Sequence, residues 1–353
     1  MTSRRKAFRF FLLVGLSLMV SAVPVCANGG RTDFFLCDHD HAEQFSKQLK
    51  SFIASHTVLY LDFAPPDGRQ GGIFAQERLQ NISDGTAPPE SLYSKDWLRK
   101  NKDKSVRLLT QIAGDVYKTR KKIYAEAAAW SEESSREISR LWELRNASYA
   151  AALQRLARGD LGKTVAAWQS AKAAEHKRLT IRDEGMLNRL LELKRQGPEQ
   201  AIGFIVGSFH TWPCVEAKSR LAEPFGAYRV ACEFAAGSMP DLKPRAHIAQ
   251  KDQSPIESAR DVFQVVLYAA LKPSPLPLKK EEHEMIAAIL RNVDWRDMET
   301  MAADFKAETP TSNLEMGQRC VRWMMRHRKL APEAADRFQM SPRTPFAPMT
   351  PTY

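Results

Sequence analysis

Two segments of the same order, strand then turn then helix then strand, lie 171 residues apart and restrict what this chain can fold into more than any other feature. In the first, DFFLC at 33–37 reads as a strand and DHDH as a polar turn. An amphipathic helix follows over about 42–54, and TVLYLDFA at 57–64 is the second strand. In the other, AIGFIV at 201–206 is the strand, GSFHTWP the turn, 214–221 a short helix, and YRVACEFA at 228–235 the closing strand. Without gaps, His39 falls on His210, Asp62 on Glu233, Phe63 on Phe234 and Ala64 on Ala235. Each unit therefore sets a histidine just after its first strand and a carboxylate near the end of its second. A helical crossover makes the two strands of such a unit parallel, so both C-terminal ends reach the sheet edge where open α/β folds build their sites.

Between the units the chain reads as helical bulk. From about 94 to 195, Ala-rich windows such as IYAEAAAW and NASYAAALQRLA carry high helix propensity. Gly159-Asp160 breaks this block and Gly197-Pro198 ends it. From Pro65 to Pro89 proline and glycine disrupt the periodicity, and a long loop is expected. After the second unit come a helix over 256–271, a stiff KPSPLPL linker at 272–278, more amphipathic helices to about 340, and a Pro/Thr-rich tail expected to be disordered. The expectation is an α/β fold: a sheet built from two similar βαβ units, with a large helical insertion and a helical C-terminal region. The α/β domain would span 28–271 and the helical region 279–340.

The first 27 residues have the three parts of a cleavable export signal. Arg4, Arg5, Lys6 and Arg9 form a positive start, 10–23 is an uncharged apolar run, and Val25 and Ala27 suit the −3 and −1 positions of a cleavage site. The run is short of the ~20 residues that a membrane span prefers. The expected product is periplasmic or secreted and starts near Asn28, with no transmembrane anchor. Cleavage would lower the formal charge from +11 to +7, because four basic and no acidic side chains leave. Basic residues elsewhere alternate with acidic ones along helix faces, so nucleic acid is not the expected partner; attraction to anionic surfaces is compatible with the charge. Four cysteines remain, Cys37, Cys214, Cys232 and Cys320, without CxxC spacing; bridges and buried thiols both stay open.

The segment IRDEGMLNRLLELKRQGPEQAIGFIVGSFHTW resembles the second signature of the TraB/Tiki, ChaN and erythromycin-esterase-like group. Arg182-Asp183, Met186 and Gly207-Ser208-Phe209-His210 carry the likeness. FFLCDHDH, its helix and VLYLDFAPP resemble the first signature, lacking its glycine and with Asp62 where Glu is usual. His39, favoured by the internal echo, and His41, favoured by x-x-His spacing, both remain candidates for the first histidine. The resemblance implies a site at both histidine turns: His39 or His41, Asp62, Arg182 and His210, with His39, His210, Asp62 and, from the echo, Glu233 as a metal set. It also implies hydrolysis of a peptide or ester bond by His/carboxylate-activated water, in certain members with a divalent metal; histidine with carboxylate donors suits Mn, Co or Zn. Two alternatives accompany it. One is haem or metal binding without turnover, with Tyr60, Tyr228 or the histidines as haem ligands; the other is a helical envelope-associated scaffold or effector with a vestigial site. Imidazole and carboxylate suit either water activation or metal ligation.

Overall fold

The computed structural model describes residues 30–37, 45–62, 68–93, 104–208, 210–225, 229–235, 253–272, 279–307 and 309–339. Residues 1–29, His39, His41, Tyr228, residues 273–278 and residues 340–353 lie outside the described residues.

Five strands form one all-parallel sheet: β1 (Arg31–Cys37), β2 (Val58–Leu61), β3 (Lys122–Ala125), β4 (Ile202–Gly207) and β5 (Arg229–Phe234), in the order β3-β2-β4-β1-β5. The three inner strands read as near-continuous apolar runs because both of their faces are covered. On one face lie α1 (Ser46–Ala54), α2 (Gly68–Asp84) and α3 (Lys104–Val116), packed on Phe35, Leu59, Leu61 and Ile205. On the other lie the second half of α5 (Leu161–Gln196) and α6 (Thr211–Phe225), packed on Phe34, Tyr60, Phe204 and Val206.

The strand register follows the internal echo. Asp33 pairs with Ala231 and Phe35 with Glu233, while Tyr60 pairs with Phe204 and Leu61 with Ile205. The 171-residue offset carries the β2–β4 pairing Tyr60↔Phe204 onto the β5–β1 pairing Ala231↔Asp33. The first unit steps from β1 across β4 to β2, and the second from β4 across β1 to β5, in opposite directions. Their helices accordingly cover opposite faces: α1 packs with Phe35, and α6 with Phe34.

Two segments differ from the sequence expectation. The expected 65–89 loop contains α2, with Ala75, Leu79 and Ile82 buried along one side. Its Gly71-Gly72 pair hides the helix from a propensity reading, yet Gly72 is needed: a Cβ there would lie 2.6 Å from Ala127 Cβ and from the Ala128 backbone nitrogen. The helical block is also interrupted by β3 and a 3₁₀ turn at Glu126–Ala129. KIYA joins the sheet edge because tertiary pairing with β2 overrides the helix propensity of the alanines that follow.

Beyond the sheet, α4 (Glu132–Ala157) and α5 form an antiparallel hairpin closed at Gly159, whose φ of +74° suits glycine. Asp160 caps α5 by accepting from Lys163 N–H at 3.0 Å. The far half of this hairpin shares one apolar cluster with α7 (Pro255–Ala269), α8 (Lys279–Arg291), α9 (Trp295–Ala307), α10 (Asn313–Arg326) and α11 (Pro332–Ala335). Helices on both sides of the expected 272–278 linker thus contribute to one core. At 1.5 Å per residue, the 36 residues of α5 run about 54 Å through both parts of the molecule.

Candidate functional site

The parallel sheet brings the C-terminal ends of β2 and β4 side by side. Asp62 follows β2 and is fixed twice to β4: its N–H donates to Ile205 O at 2.9 Å, and its Oδ2 accepts from Gly207 N–H at 2.9 Å. His210 follows β4 after a tight turn in which its N–H donates to Gly207 O at 2.9 Å. From beneath, α5 supplies Arg182 and Asp183, and the 3₁₀ turn after β3 supplies Glu126.

These five side chains form one network. His210 Nδ1 bonds to Asp183 Oδ1, and Nε2 faces Asp62 Oδ2 at 3.2 Å. Arg182 donates through Nε to Glu126 Oε1 at 2.8 Å, and one terminal nitrogen bridges Glu126 Oε2 and Asp62 Oδ1. The cluster is buried: Asp183 and Glu126 are each 1% exposed, His210 2% and Arg182 6%. Burying so many charges is costly unless each is paired, and here these contacts join opposite charges or a donor with an acceptor.

Protonation follows from this geometry. Burial alone would lower the His210 imidazolium, but the carboxylates of Asp62 and Asp183 outweigh it and hold the group up at about 9. With an acceptor opposite each ring nitrogen, the imidazolium is the form that satisfies both. Burial pushes Glu126 up to about 7 against the opposing pull of Arg182. Burial would likewise discharge Arg182, but Asp62 and Glu126 keep it firmly cationic. Tyr60, buried with its ring tilted against Phe204 at a centroid distance of 4.7 Å, has its hydroxyl raised well above the usual range by burial and by Glu126 and Asp62.

Of the candidates read from sequence, Asp62, Arg182 and His210 meet directly. Glu233 does not join them. It is exposed on the edge strand β5, three strand spacings or about 14 Å from β2. Its register partner Phe35 belongs to the α1 face, whereas Asp62 and His210 meet α5 on the other. The physical reason lies in the echo itself: units that step in opposite directions put corresponding residues on opposite faces. His39 and His41 lie outside the described residues; Cys37, the last described residue before them, is register-paired with Gly207 at the same edge.

Two partners escaped the sequence reading. Asp183 enters there only as the neighbour of Arg182 in the motif, with no role of its own, and it sits deep inside α5. Glu126 is hidden in an alanine run. The available signal for Asp183 was its position in the helical period: Leu179, Arg182, Asp183, Met186, Leu187 and Leu190 share one buried stripe. The thiols are not nucleophile candidates. Cys214 is bonded to Cys232 with a Cα–Cα distance of 6.1 Å, and buried Cys37 points its thiol at Val206 O, 3.6 Å away.

Among the described residues no group of three or more His, Cys, Asp or Glu is arranged to hold a metal ion. The 3.2 Å spacing of Asp62 Oδ2 and His210 Nε2 fits two neighbouring ligands of one ion with bonds near 2.0–2.2 Å. Comparison with protein-family models, characterised proteins and solved structures finds no match for this chain.

Proposed function

We propose that this chain is an exported hydrolase-like protein that cleaves a peptide or ester bond with the Asp62–His210–Asp183 group. The observation that carries this reading is the double clasp on His210: Asp183 fixes one ring nitrogen, and the other faces a second carboxylate, at the C-terminal edge of a parallel sheet. A structural ion pair needs one partner, whereas a proton-handling histidine needs an orienting carboxylate and a second group to exchange with.

The chemistry balances within these residues. Water adds to the carbonyl carbon as Asp62 takes its proton, and His210 Nε2–H protonates the leaving alcohol or amine. The proton on Asp62 then returns to Nε2, 3.2 Å away, restoring the starting state. Asp183 keeps the ring oriented throughout. Arg182 is directed at Glu126 and Asp62, so it holds the Asp62 carboxylate in place. A divalent ion would need Nε2 deprotonated, so Asp62 and neutral His210 would hold it in place of this proton route, where it would supply polarisation of the carbonyl and activation of water. Export is supported by the N-terminal segment and by the Cys214–Cys232 disulfide, which suits an oxidising compartment.

The test is hydrolysis of p-nitrophenyl esters and quenched-fluorescence peptides by the purified chain, by His210→Ala and by Asp183→Asn, with metal content measured on each. The reading predicts turnover in the parent that falls about 100-fold or more in both variants while circular dichroism is retained. A parent inert on every substrate, or variants as active as the parent, would overturn it.

A further inference from the structure

The end of the molecule opposite the sheet carries a basic surface that the proposed chemistry does not use. From Arg319 to Lys329 the sequence RCVRWMMRHRK has five lysines and arginines and no acid. Its helix, α10, turns Met316, Cys320, Trp323 and Met324 inward, which leaves Arg322, Met325 and Arg326 on the outer face. Arg319 is bonded to Glu315 at 2.7 Å, and Lys329 to Asp297 at 2.7 Å. Arg322 and Arg326 have no carboxylate partner among the described residues. They line a cleft of about 200 Å³ with Arg319, Ala307 and Asp304.

A second cleft, of about 460 Å³, is also lined by residues of α9. Its walls are Arg155, Arg158 and the Gly159–Gly162 turn, facing Glu299 and Lys306. At Gly159 an added Cβ would lie 2.7 Å from both Ala302 O and Lys306 Cβ, so the α4–α5 turn that lines the second cleft sits directly on α9. Across both clefts, six basic side chains face three acidic ones. One of the three, Asp160, is already bonded to Lys163 at 2.9 Å. Two arginines flanking a methionine that is 42% exposed give this face both charge and an apolar contact.

We propose that this face, centred on Arg322, Met325 and Arg326, docks the protein on an anionic phospholipid surface. Guanidinium groups bind lipid phosphates with several donors at once, and Met325 matches the apolar layer just beneath the headgroups. A free phosphate would use the arginines and leave Met325 unexplained, which is why the bilayer is the favoured source.

The test is flotation of the purified chain with vesicles of phosphatidylcholine alone and of equal parts phosphatidylcholine and phosphatidylglycerol. The full chain is used for parent and variants alike, so any contribution of residues 1–29 cancels. The expected result is binding that requires the anionic lipid. It should weaken about fivefold for each arginine replaced in Arg322→Gln and Arg326→Gln, and recover in the Arg→Lys versions. It should also be lost at about 1 M salt, where the Debye length falls to about 3 Å. A parent indifferent to phosphatidylglycerol, or a double Gln variant that binds as the parent does, would overturn the proposal. Release by inorganic phosphate at constant ionic strength would replace it with a small-anion site.

Discussion

Between Leu161 and Ala174, α5 buries Leu161, Val165, Trp168, Ala171 and Ala174, and packing with α7 and α9–α10 accounts for its position. Between Arg178 and Lys194 the same helix buries four charged side chains, Arg178, Arg182, Asp183 and Lys194, beside its leucines. The first half is a core in the ordinary sense. In the second, each charge is tied to a particular neighbour: Arg178 to Glu175, Arg182 to Glu126 and Asp62, Asp183 to His210, and Lys194 to the carbonyl of Gln200 at 2.5 Å. Apolar side chains of similar size would stabilise a helix–sheet contact at least as well. The difference teaches that the sheet half is held by specific charge pairs where the other half is held by apolar contact, and this concentration of buried, mutually perturbed charges is what the proposed function rests on.

The largest expected effect breaks the charged half. Arg182→Ala leaves Asp62 and Glu126 buried without their cation and should cost about 3–5 kcal/mol in urea unfolding. Val165→Ala, in the apolar half, should cost about 2 kcal/mol. Equal losses would remove the distinction between the halves.

Next is the difference between neighbours on the same helix. Asp183 is buried on His210, while Glu184 faces solvent and pairs with Arg220 at 2.9 Å. Asp183→Asn should lower turnover about 100-fold or more, and Glu184→Gln should leave it unchanged.

The pH dependence of stability sharpens the comparison further. Glu126 is raised from 4.5 to about 7, so the unfolded chain ionises it first and stability falls as pH rises between those values. His210 is raised from 6.5 to about 9, and its contribution is fully present below 6.5 and lost as pH rises through 9. Both act in the same direction, each with a slope of at most about 1.4 kcal/mol per pH unit. Glu126→Gln should flatten the lower window and leave the upper one, as read by urea midpoints across pH.

The smallest effect is expected at Glu233. Glu233→Gln should leave turnover and stability within about 0.5 kcal/mol of the parent, because it is a surface position away from the network.

Much of the fold was legible because the strands announce themselves: FFLC, VLYL and IGFIV are short apolar runs flanked by polar turns; the first and third lie within two residues of their expected bounds, while the second, expected over 57–64, is Val58–Leu61. KIYA was not legible, since four residues before an alanine run carry little strand signal without the neighbouring β2. The helix around Gly71-Gly72 was masked by residues chosen for close approach to Ala127. At the site, Asp62, Arg182 and His210 could be read from motif and topology. Glu126 could not, and for Asp183 the helical period signals burial but not its partner, because both roles depend on where α5 passes beneath the sheet edge. Glu233 was misplaced because sequence echoes report position along a strand and say nothing of the face it turns to.

The central claim is that His210 is held as a charged, doubly clasped imidazolium. Nitrogen-15 NMR of the histidine rings across pH tests it most directly, with His210→Ala assigning the resonance. The account predicts that at pH 7 both ring nitrogens carry protons and that the ring titrates near 9, shifting down in Asp183→Asn. A ring that is neutral at pH 7, titrating at or below the ordinary 6.5, would contradict it.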